Sequence, residues 1–138
     1  MKKLTPVLFA IAALALAACG DDESGGEESE AAVTPQVAIE EIAAVRAGLD
    51  EAATAYADGD AEAAAETVNE TYLQHFELVE GPLEEVDEEL NEELEEQIRE
   101  ELVDEIESGA PATEVDALVD EIEAGLDEAE KALAGGQA

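Results

Sequence analysis

From Thr34 onward, apolar residues return every three or four positions and never alternate with polar ones over a useful run. A helix turns about 100° per residue, so this spacing draws apolar stripes along helices, whereas a strand needs a period of two. The chain is thereby restricted to an all-α fold. Gly and Pro interrupt the pattern at Asp58-Gly59-Asp60, Gly81-Pro82 and Ser108-Gly109-Ala110-Pro111. Four helices with connections this short predict an antiparallel up-down four-helix bundle over residues 34–138.

The stripes name a candidate core. Thr34-Pro35 reads as an N-cap followed by proline in the first turn, opening a helix to about Ala57. Ile42, Leu49, Ala53 and Tyr56 share one face of it, with Val45 and Arg46 at the edge. Gly59 suits the left-handed residue that ends a helix, and Asp60 suits the next N-cap. The second helix then runs to about Glu80 and aligns Ala65, Val68, Tyr72, Phe76 and Val79. Gly81-Pro82 is expected to break it, with the third helix starting near Leu83 or at Asp87. In that helix Leu90, Leu94, Ile98, Leu102 and Ile106 recur every four residues. Each step of four overshoots a full turn by about 40°, so a straight helix cannot aim all five at one flat core. Thr113 to Asp116 reads as a capping box for a fourth helix carrying Val115, Leu118, Val119, Ile122, Leu126, Ala129 and Leu133.

Charge narrows the function. The chain holds 39 acids, and its formal net charge is −34. Phosphate binding needs clustered Lys and Arg, so nucleic acid is excluded as a partner. The acids cover every predicted helix. That distribution suits a surface built for high salt, where counterions screen the carboxylates. Cation handling is the competing explanation.

The first residues resemble a bacterial lipoprotein signal. Met1-Lys2-Lys3 is a basic start, residues 4–18 are apolar but too short to span a bilayer, and Leu16-Ala17-Ala18-Cys19 resembles a lipobox. This predicts a cleaved signal over 1–18, a lipid on Cys19, and an acidic, glycine-rich disordered tether over 19–33. The mature protein would then sit on the extracytoplasmic face of the cell membrane, held by its acyl chains. Lys2 and Lys3 leave with the signal, so only Arg46, Arg99 and Lys131 stay against the acids. Such self-repulsion destabilises a compact state at low salt.

Little in the chain suits catalysis. His75 is the only histidine, Cys19 the only cysteine, and the serines fall in loops or the tether. A hydrolytic nucleophile needs a base beside it, and no glycine-rich phosphate loop is present. The protein is expected not to be an enzyme. Carboxylates and an imidazole on facing helices are, however, the usual materials of bundle metal sites. His75 with Glu77 and Glu80 is the candidate ligand set, with Asp58, Glu84 or Asp87 completing it. The alternative is a histidine at the core edge that hydrogen-bonds a carboxylate.

Two stretches carry a family resemblance. The run Ala55 to Asp60, then Ala63-Ala64-Ala65, then Tyr72 to Glu80, resembles the helical extracytoplasmic domain of bacterial high-affinity iron permeases, with relatives among imelysin-like proteins. Leu94 to Arg99, Gly109 and the helix from Glu114 to Leu133 resemble the same region. The resemblance implies a helical module associated with uptake of iron or another divalent or trivalent metal. It also implies a metal-transport membrane protein as partner. His75, Glu77 and Glu80 would match the family's aromatic-acidic segment. The permease's own membrane helices and acidic iron motif are absent from this chain.

Overall fold

The computed structural model describes residues 32–136. The expected signal over 1–18, the lipidated Cys19, and the tether up to residue 31 lie outside them. The described residues form four helices, and no strand occurs among them. Helix α1 is Pro35–Ala57. Helix α2 is built from Ala61–Thr71, Tyr72–Phe76 and Glu77–Glu84, which follow one another without a gap. Helix α3 likewise joins Glu88–Glu96, Gln97–Glu101 and Leu102–Ser108. Helix α4 is Ala112–Gly135. Helix α1 packs on α2 and α4, and α3 packs on the same two.

Local chemistry sets most boundaries. The Thr34 hydroxyl accepts from Val37 N–H, the Asp60 carboxylate from Ala63 N–H and the Asp87 carboxylate from Leu90 N–H. Each satisfies a donor that the first turn leaves without an intrahelical partner. Gly59 and Gly109 end α1 and α3 with φ of 92° and 74°, a conformation that a side chain disfavours.

Three expectations need correction. Gly81-Pro82 does not break α2, which continues to Glu84, leaving Asp87 as the start of α3. Val79, Pro82 and Leu83 are buried together, and that packing carries the helix past the proline. Thr113 is not the N-cap of α4. The helix begins at Ala112, and Glu114 N–H donates to the Pro111 carbonyl. The apolar face of α1 is centred on Ala38, Ile42, Val45, Leu49 and Ala52, while Ala53 and Tyr56 only pack against its margin.

The five-residue problem in α3 has a specific solution. All five of Leu90, Leu94, Ile98, Leu102 and Ile106 are buried. Between Gln97 and Glu101 the helix opens into a wider turn, in which Leu102 N–H reaches back five residues to the Gln97 carbonyl. One such turn accommodates one extra residue and so takes back about 100° of the accumulated overshoot. The stripe thereby stays on the core along the whole helix. A second wide turn interrupts α2 at Tyr72–Phe76, where Glu77 N–H reaches the Tyr72 carbonyl.

Candidate functional site

The two wide turns adjoin. Tyr72 opens the one in α2 and Arg99 lies within the one in α3, its guanidinium carbon 5.5 Å from the centre of the Tyr72 ring. Cation–π attraction links the helices there. Phe76 follows one turn later, tilted against Tyr72 with ring centres 5.8 Å apart. Both rings are buried, as their places on the stripe require.

The Tyr72 hydroxyl reaches along α2 and donates to Glu80 Oε1 at 2.5 Å. The same hydroxyl lies 3.4 Å from Glu95 Oε1, which accepts from Arg99 at 3.2 Å. Two carboxylates from different helices thus converge on one phenol. Burial, then the hydrogen bond to Glu80, push the Tyr72 pKa well above its usual range. Burial is also the main cause that raises Glu80, with the charges of Glu95 and Glu77 adding to it. The Tyr72 hydrogen bond and Arg99 act in the opposite direction. Asn91, one turn before Glu95, is buried with its Oδ1 unpartnered among the described residues. The contact between α2 and α3 therefore carries buried polar groups within an apolar stripe.

His75 faces the other way, toward α1. Its Nδ1 lies 2.7 Å from Glu41 Oε2, and both side chains are partly exposed, at 36% and 26%. This is the core-edge histidine held by a carboxylate. The partner is none of Asp58, Glu84 and Asp87, and Asp87 is occupied in capping α3. Glu77 is exposed. The structure therefore does not gather His75, Glu77 and Glu80 around one point, because the imidazole turns to α1 and Glu80 turns to Tyr72. Among the described residues, no three His, Cys, Asp or Glu side chains are placed to hold a metal ion.

Arg46 behaves as an edge arginine should. It pairs with Asp127 at 2.7 Å and donates to the Glu123 carbonyl at 3.2 Å, tying α1 to α4. Tyr56 donates to the Ala110 carbonyl at 2.6 Å and so ties α1 to the turn before α4. The functional groups missed at the sequence level are Glu41 and Glu95. Glu41 and His75 stand at nearly equal distances on either side of Gly59, a mirror relation that could have paired them.

No known protein family, curated protein or solved structure matches the chain. No helix among the described residues is long and apolar enough to cross a membrane.

Proposed function

We propose that the chain is a non-catalytic, lipid-anchored helical lipoprotein on the extracytoplasmic face of the cell membrane. Its four helices alternate up and down, and its carboxylate surface serves a saline medium. One observation carries this reading: the acids are spread over the solvent side of all four helices, and Arg46 and Arg99 are each engaged within the fold. Dispersed carboxylates hold hydration and counterions but concentrate no ion at a point. The anchor is tested at Cys19. Cys19→Ser is expected to move the protein from the membrane fraction to the soluble one. Unchanged membrane association in that variant would remove the lipid from the account.

A second reading rests on the Glu41 contact. An imidazole that ligates a metal commonly has its other nitrogen held by a carboxylate. Glu41 would hold His75 Nδ1 in that way and leave Nε2 as a ligand for iron or another transition metal. The iron-permease resemblance points to the same class of cation and to a transport protein as recipient. Calorimetric titration with iron, copper, zinc and calcium separates the two readings. Weak, many-site binding that His75→Ala leaves unchanged is expected on the first reading. Stoichiometric transition-metal binding, reduced at least tenfold by His75→Ala, would replace it with the second.

A further inference from the structure

Asn91 is 7% exposed, and its Oδ1 has no hydrogen-bond partner among the described residues. A buried acceptor left dry costs stability, so a native fold that keeps one calls for an explanation. Its place in α3 supplies one. Leu90 and Leu94 turn toward α4, where a Cβ on Gly125 would meet them. Glu95 instead meets Tyr72 of α2. Asn91 precedes Glu95 by one helical turn and so lies on the α2 side of α3. Glu80 and Asn91 are almost equally far from Val86, in the turn that joins the two helices, and the chain reversal there brings them level.

We propose that Asn91 is the acceptor for Glu80 in its protonated form, which makes the α2–α3 contact a latch that tightens in acid. The Tyr72 hydroxyl already occupies Glu80 Oε1, which leaves Oε2 as the oxygen for a proton. The proton comes from the medium. Tyr72 goes on donating to Oε1, and the new O–H donates across to Asn91 Oδ1. The groups that act on Glu80 are Tyr72 and Glu77 on α2 and Glu95 and Arg99 on α3. Burial and the two carboxylates favour the protonated form, and Tyr72 and Arg99 oppose it. Protonation thus removes a charge facing Glu95 and partners the one orphaned acceptor in a single step. Relief of repulsion alone would also stabilise the fold in acid, but it would not involve Asn91.

Carbon-detected NMR of the full chain from pH 7 to 4 separates the two. The Glu80 carboxyl and the Asn91 side-chain carbonyl are expected to titrate with one midpoint. Glu80→Gln places an amide N–H₂ where the acid has its O–H, so the Asn91 carbonyl should hold its low-pH position throughout. Asn91→Leu keeps the bulk and removes the acceptor. Hydrogen exchange at the two wide turns, corrected for the intrinsic effect of pH, is expected to slow about fivefold in wild type between pH 7 and 5, the size of one hydrogen bond gained. In Asn91→Leu that slowing should be at least halved. An Asn91 carbonyl that does not move, or that moves at a pH other than that of Glu80, overturns the proposal. So does a Glu80 still ionised at pH 4, or an Asn91→Leu variant whose exchange responds to acid as fully as wild type.

Discussion

Phe76→Ala is expected to leave the domain unfolded in 0.1 M NaCl and to let it refold in 2 M NaCl. Phe76 is fully buried, among the largest such side chains in a core where Tyr72 is the other aromatic and the rest are aliphatic residues and alanine. Removing a buried Phe costs about 3–5 kcal/mol, through lost transfer energy and the cavity left behind. A domain of ordinary stability has about 5–15 kcal/mol in all. Here self-repulsion among the carboxylates already draws on that margin when salt is low. Raising the salt from 0.1 to 1 M shortens the Debye length from about 10 Å to about 3 Å and weakens that repulsion. The two terms should therefore compensate in one variant. Helical circular dichroism followed against NaCl measures it, with Leu73→Ala as the control because Leu73 is 59% exposed. A wild-type melting temperature for Phe76→Ala at low salt would show that the stripe does not carry the fold.

What the amino-acid pattern revealed, and what it hid, follows from the range of the forces. Thr34, Asp60 and Asp87 cap helices through neighbours three residues away, so a local reading reaches them. Buried stripes are legible for the same reason, since period alone puts Val68, Tyr72, Phe76 and Val79 on one face. Gly81-Pro82 misled because a breaker signal is also local, while the burial that overrides it comes from other helices. The wide turn in α3 was half visible. Five apolar residues at strict four-residue spacing announced a geometric conflict, but not that the backbone would absorb it between Gln97 and Glu101. The matching turn in α2 left no such mark, because its stripe mixes steps of three and four. Site partners were least legible. His75 stands out in the sequence as the lone imidazole, but its orientation toward Glu41 and that of Glu80 toward Tyr72 depend on how α2 is rotated between α1 and α3.

That rotation gives Glu80 a pH dependence of defined sign. Burial first, then the charges of Glu95 and Glu77, raise its pKa above the ordinary 4.5 of a glutamate. The folded state therefore binds this proton more tightly than the unfolded chain does. The resulting stabilisation is fully present below the unfolded value and is lost as pH rises through the folded value. Acidification from pH 7 toward 5 should accordingly raise the melting temperature, contrary to the acid lability of proteins whose carboxylates are held by cations. Glu80→Gln should reproduce the gain at pH 7, because the amide oxygen still accepts from Tyr72 while the charge facing Glu95 is gone. Removing a partly exposed like-charge contact of this kind stabilises by roughly 0.5–1 kcal/mol, which for a domain near 100 residues is a rise of about 2–8 °C. The same variant should flatten the pH response, whereas Glu77→Gln, on the exposed side of α2, should leave most of it intact. Tyr72→Phe should act in the opposite direction, since it withdraws the donor that holds the Glu80 carboxylate. Melting curves of the four proteins between pH 5 and 7 decide the matter. A wild-type melting temperature that falls on acidification, or a Glu80→Gln variant less stable than wild type at pH 7, would mean that Glu80 is held as a wanted charge. The contact between the two wide turns would then be an ion pair with Arg99, and not two carboxylates sharing one phenol.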